Sequence, residues 1–190
     1  MEFRLSIYEG TDTIKFGMTS EEIQALVGIK PTLFKKSVSD LYDTEDYQGM
    51  FHVYYEMKNN QLVCAEIEFF KPSKVFLDGV QLLGKPKVEI EDLFKGKFED
   101  YSSEYTRSME YCIGFYAPKV KTETVAIARK GFYKEQEEYY KNTHDEQYIS
   151  NSPKRYYCIG CKYVATSETP LVECPNCHIF MIPMLPDEQI

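Results

Sequence analysis

The chain contains no tryptophan and only three histidines, and it lacks any apolar run of the roughly 18 residues that cross a bilayer. Each absence excludes something. Without such a run, no membrane-spanning helix is expected. The start, Met1-Glu2-Phe3-Arg4-Leu5-Ser6, has no basic region leading into an apolar core, so no signal peptide is expected. Positive charge is also short: 22 Lys and Arg stand against 30 Asp and Glu, a net charge of −8. Nucleic-acid binding depends on neutralising phosphates with basic side chains, so this balance argues against it. His52, His144 and His178 are far apart, and neither Cys64 nor Cys112 has a neighbouring base that would mark a nucleophile. No catalytic residues are assigned, and the chain reads as a non-enzyme.

What is present is a set of paired cysteines. Cys158-Ile159-Gly160-Cys161 and Cys174-Pro175-Asn176-Cys177 are two Cys-x-x-Cys pairs separated by 12 residues. Each pair bends tightly enough to aim two sulfurs at one tetrahedral ion, which is the ligand pattern of a four-thiolate zinc ribbon. The predicted metal ligands are Cys158, Cys161, Cys174 and Cys177, holding structural Zn²⁺. A closed four-sulfur shell leaves no open position for substrate. Iron is the alternative, because rubredoxin-like sites share the S₄ geometry and Tyr157 to Tyr163 looks somewhat rubredoxin-like. His178 abuts Cys177, but four cysteines already complete the shell. Paired knuckles with lone core thiols at Cys64 and Cys112 fit a reducing, cytoplasmic setting. Lys154, Arg155 and Lys162 face Glu168, Glu173, Asp187 and Glu188, so this tail is no basic patch.

The rest of the chain carries helix and strand signals. Thr19 and Glu22 form a capping box, Ile23, Leu26 and Val27 give an apolar stripe, and Gly28 with Pro31 ends the helix. Residues 35–50 are polar and acidic and read as a loop, without the ligand spacing of a calcium loop. Met50–Met57 and Leu62–Phe70 alternate about Asn59-Asn60, which predicts a hairpin with Glu66 and Glu68 on a wet face. Val63, Ala65, Ile67 and Phe69 should share the buried face. His52, Tyr54 and Glu56 should share the other. A third strand is expected over Lys74–Leu77, ending in the turn Asp78-Gly79, and a helix from Pro86 to Lys95, stopped by Gly96. Strands over Met109–Tyr116 and Thr124–Ala128 and a short helix over Phe132–Lys141 follow.

Gly79 to Pro86 imitates a phosphate loop, but Pro86 occupies the position of the magnesium-binding hydroxyl, so a hairpin arm and helix start are expected instead. Tyr54, Tyr111 and Tyr116 at polar-facing strand positions suit a partner surface, and core and cross-strand packing is the favoured account of them.

The stretch Ile14 to Gly28, with its Ile-Lys-Phe-Gly-Met-Thr-Ser-Glu-Glu-Ile lead into a capped helix, resembles the recurring unit of the beta-lactamase-inhibitor-protein-like fold. The resemblance covers residues 10–130. It implies helices on one face of an antiparallel sheet, sometimes in tandem, as in small bacterial proteins that include immunity proteins encoded beside toxins. It also implies a binding or inhibitory role with a protein partner, and it transfers no functional residue.

The sequence thus predicts an α+β body over residues 1–141, with helices packed on antiparallel sheet and repeats at 10–79 and 80–141. A linker at 142–154 and a zinc ribbon at 155–190 complete it. The expected function is a cytoplasmic protein-binding module without membrane or small-molecule partners. The alternatives are a nucleic-acid or transcription-associated ribbon protein and a small redox protein.

Overall fold

The computed structural model describes residues 1–36, 41–94, 99–100, 104–139, 154–158, 161, 163–167, 174–177 and 181–183. The chain divides into two compact units, Met1–Glu137 and Glu138–Ile190. The first begins with strands β1 (Glu2–Ser6) and β2 (Gly10–Thr11), helix α1 (Ser20–Val27), and strands β3 (Thr32–Phe34), β4 (Thr44–Asp46), β5 (Phe51–Lys58) and β6 (Gln61–Phe70). Strands β7 (Lys74–Leu77) and β8 (Val80–Gln81), helix α2 (Lys87–Leu93), and strands β9 (Glu99–Asp100), β10 (Tyr105–Ser108), β11 (Ile113–Tyr116) and β12 (Thr124–Ala128) follow. Helix α3, over 132–139, closes this half of the chain.

Two sheets result. The larger has eight strands in the order β3-β4-β5-β6-β12-β11-β10-β9, and the smaller has the order β2-β1-β7-β8. The order of two short strands, a helix and four strands therefore occurs twice, from β1 and again from β7. Its last members, β6 and β12, pair antiparallel at the centre of the large sheet, from Thr124↔Phe70 to Ala128↔Glu66. The main core includes Phe3, Ile23, Phe51, Ile67, Phe69, Val75, Ile90, Ile113 and Val125, so both sheets and both first helices contribute to it.

Local chemistry explains the elements that the sequence announces. Thr19 Oγ1 accepts from the Glu22 amide and Glu22 Oε2 accepts from the Thr19 amide, which satisfies two donors at the start of α1. Gly28 ends α1 at φ 68°, where a side chain would be strained. Only Ile23 of the predicted stripe is fully buried; Val27 packs partly against the core and Leu26 is exposed. Asn59 and Asn60 take φ of 50° and 63°, the two-residue turn that matches strand twist, and Lys58 pairs with Gln61. Leu82 and Leu83 are buried and Pro86 caps α2, so the glycine-flanked stretch is a hairpin arm and helix start. Gly96 lies outside the described residues.

Several expectations are corrected. The 35–50 segment is not all loop, because β4 crosses it with Thr44, Glu45 and Tyr47 buried. Its acidic residue is tolerated there because hydroxyls from Ser20, Tyr47 and Tyr55 donate to the Glu45 carboxylate. The strand expected over Lys74–Leu77 is present as β7, and its partner is β1, to which it pairs parallel in the smaller sheet. Residues 109–112 form a turn, with Cys112 at φ 51°, so the run Met109–Tyr116 is broken and only its second half is strand. Tyr111 packs against the main core from this turn and is no surface tyrosine. Along β6, Tyr54 pairs with Glu66 but Tyr55 with Cys64, leaving Ala65 unopposed as a bulge. The bulge shifts the phase. Cys64 joins Ile67 and Phe69 in the main core, and Ala65 turns to a second cluster with Cys112, Ala128, Phe132 and Tyr133.

The outer face of the hairpin is not wet either. Glu68 is 14% exposed and accepts from Lys36 Nζ at 2.8 Å and Tyr54 OH at 2.7 Å. His52 packs between Phe34 and Phe70, with Asp46 at 3.5 Å and Glu68 at 3.9 Å, and burial lowers its pKa. Glu56 is drawn away from that group: Arg129 donates to both its oxygens and to both of Glu135, tying α3 to the sheet. At Gly114 a Cβ would collide with the Tyr105 hydroxyl, so glycine leaves room for that ring over β11.

Burial raises the Glu66 carboxyl pKa to about 7, against the lowering effect of a 3.0 Å hydrogen bond from Tyr133 OH. Neighbouring Glu68 raises it further, while Lys36 and Arg107 lower it. The folded protein thus holds this proton above the pH at which the unfolded chain loses it. Stability from this site falls as pH rises from about 4.5 to about 7 and is level above that. Glu66→Gln should remove that slope and raise stability above pH 7 by on the order of 2 kcal/mol. Urea unfolding of both proteins between pH 5 and 8 measures it, and parallel pH profiles would contradict it.

Candidate metal centre

The second unit contains a three-stranded antiparallel sheet of β13 (Lys154–Cys158), β14 (Val164–Ser167) and β15 (Met181–Pro183). Strand β13 is central, pairing with β14 through Tyr157↔Val164 and with β15 through Cys158↔Met181. The first cysteine pair therefore sits where a hairpin reverses. Cys158 ends β13, Cys161 lies in the turn, and the Cys158 amide donates to the Tyr163 carbonyl at 2.9 Å to close it. The second pair brackets another turn over 175–177, where the Asn176 amide points at Cys174 Sγ at 3.4 Å. Amide-to-sulfur bonds of this kind stabilise thiolate over thiol.

The two turns bring all four sulfurs together. Cys158, Cys161, Cys174 and Cys177 place their Sγ atoms within 4.8 Å of one another. The Cys158–Cys177 and Cys161–Cys174 sulfurs are 3.4 and 3.5 Å apart, and all four cysteines are free thiols. Four sulfurs at about 2.3 Å from a tetrahedral ion lie about 3.8 Å from each other, so the cluster has the size of a metal shell. Cys158 and Cys174 are fully buried, whereas Cys161 is exposed. The centre thus has a dry side and a wet side. Ala165 and Cys177 pack against the buried pair, and this small group is the unit's only buried cluster among the described residues. The metal's identity is not fixed by this geometry, since zinc and iron accept the same sulfur tetrahedron.

Among the described residues, no second group of three or more metal-ligating side chains converges as these four cysteines do. His178, Asp40 and the linker at 142–153 lie outside the described residues. Cys64 and Cys112 are buried free thiols, and burial pushes the Cys64 pKa upward, which keeps it protonated and unreactive. No described helix is long and apolar enough to cross a membrane. Sequence reasoning missed Glu45 and its ring of hydroxyls, because nothing in Thr44-Glu45-Asp46-Tyr47 marks one acid as inward-facing.

A metal ion held by these four sulfurs would tie both turns to the end of β13, and thiolate zinc binding at neutral pH is worth on the order of 10 kcal/mol of folding free energy. Cys174→Ser should therefore abolish hydrogen-exchange protection in β13 and β14 while amides of β6 and β12 keep theirs. Retained protection in β13 would show that the sheet holds without the fourth sulfur. No protein-family model, curated protein or solved structure matches the chain.

Proposed function

We propose that the protein is a cytoplasmic, non-enzymatic protein-binding module of the immunity or inhibitor kind, with a C-terminal zinc ribbon as a structural staple. The observation that carries the metal half is the convergence of four thiols within 4.8 Å. Zinc suits a closed thiolate shell whose task is to hold two turns together, and the ion then does no chemistry of its own. The repeated element order supports reading the body as a duplicated unit of the beta-lactamase-inhibitor-protein-like kind.

The binding half rests on exposed apolar side chains on strand β3, in the segment before β4, and at the turn end of β5 and β6. Leu33, Leu41, Met57 and Leu62 are 58%, 70%, 51% and 39% exposed. Met57 and Leu62 are cross-strand neighbours, and Leu33, Leu41 and Leu62 line one cavity. Grouped apolar exposure of this kind marks interaction surfaces more often than solitary exposed leucines do. Here the docking surface is this apolar group, and not the tyrosine-bearing face, whose Tyr54 is held by Lys36 and Glu68. The mechanism is masking: the module covers a site on its partner, and the net charge of −8 speeds encounter with a basic one.

Immobilised full-length protein should retain one stoichiometric protein from a lysate of its own cells. The double variant Leu33→Lys, Leu41→Lys, folded by circular dichroism, should lose at least about ten-fold of that retention, since the new charges remove the desolvation gain of an apolar contact and repel a basic partner. Equal retention by the variant, or no retained protein, would contradict the reading.

A further inference from the structure

Beside β3 and β4 lies a cavity of about 440 Å³, within the size range of sites for small organic groups. Its lining divides by chemistry. Leu33, Leu41 and Leu62 make the apolar part; Ser20, Glu45 and Tyr55 make the polar part. Glu45 is 4% exposed, yet among the described residues its carboxylate is met only by neutral hydroxyls. Ser20 donates to Oε1, and Tyr47 and Tyr55 donate to Oε2. Burial and the neighbouring carboxylate push the Tyr55 pKa upward, so its hydroxyl keeps its proton and stays a donor. No described Lys, Arg or His forms an ion pair with Glu45. Lys35 and Asp43, both exposed, also line the space and add one charge of each sign, which leaves Glu45 as the charge in excess.

A carboxylate offers about four acceptor positions, and the described residues take three, which leaves one for an incoming N–H. A charge held out of water by neutral dipoles attracts a cation more strongly than an exposed carboxylate does, because solvent screening is weaker. Anions are repelled, and a neutral ligand gains apolar contact alone. Two tyrosines, Tyr42 and Tyr55, line the same space, and aromatic rings favour organic cations over hydrated metal ions. The leucines suit a carbon stem.

We infer that this cavity receives a guanidinium or ammonium group on an apolar stem, presented as an arginine or lysine side chain between apolar residues of the protein partner. The inference rests on the protein-binding reading and deepens it by naming what the partner inserts. It also gives the leucine rim its purpose: the neighbours of the basic residue pack on it while the charge reaches Glu45.

The test is a titration of the full chain, followed by the leucine methyl signals in carbon–proton correlation spectra. The probes are acetyl-Leu-Arg-Leu-amide, n-hexylguanidinium, n-hexanol and hexanoate. The peptide and the guanidinium should shift Leu33, Leu41 and Leu62 at concentrations at least about ten-fold below those needed for n-hexanol, the ratio expected of one charge-assisted contact. Hexanoate should leave these signals unmoved. Glu45→Gln, which keeps the size and an acceptor, should bring the cations down to the level of the alcohol. Asp43→Lys, at an exposed position, should weaken the cations and leave n-hexanol unchanged, which covers the case in which the Glu45 variant does not fold. Equal binding of guanidinium and alcohol, cation binding unchanged in both variants, or a peptide that fails where free guanidinium binds would each overturn the inference. A lysate that yields no partner leaves the probe result standing, and probes that fail leave a captured partner standing, so the two failures are distinguishable.

Discussion

An ionisable group taken out of water must be answered by something, and three such groups govern this chain. Four thiols converge in the second unit, Glu45 of β4 is buried, and Glu66 of β6 meets Tyr133 of α3. Each is answered differently. Glu66 is answered by protonation, its pKa raised to about 7 with a tyrosine hydroxyl alongside. Glu45 is answered by three hydroxyls from α1, β5 and the turn between β4 and β5. For the four converging thiols the proposed answer is a metal ion.

These answers carry different amounts of structure. The first unit has a core built from both sheets and two helices, so its buried acids are features added to a fold that apolar packing already supports. The second unit has only two fully buried side chains, both cysteine, among the described residues. Those two cysteines mark where the proposed metal ion would tie the second unit together.

Much of this was legible in the sequence because it depends on local chemistry. The capping box of Thr19 and Glu22, the positive φ of Asn59 and Asn60, and the knuckle spacing of the cysteines each act over a few residues. What was not legible depends on distant partners. Glu45 looks like one more acid in a polar loop until Tyr55 and Ser20, from other elements, turn hydroxyls toward it. Glu56 looks like a neighbour of His52 until Arg129, distant in the chain, claims it. Ala65 looks in phase with Val63 and Ile67, and only the pairing of Tyr54 and Tyr55 reveals a bulge. The parallel pairing of β1 with β7 has no turn signal at all, because parallel strands need no adjacent sequence.

The most direct test of the central claim is native mass spectrometry of the full-length protein, purified without added metal or chelator. The account predicts one zinc ion per chain, displaced when the cysteines are alkylated, the metal-bound ion carrying one zinc in place of two protons at the same charge state. A metal-free chain whose β13 amides remain protected from exchange would contradict it, and a single iron with visible colour would replace the staple with a redox centre.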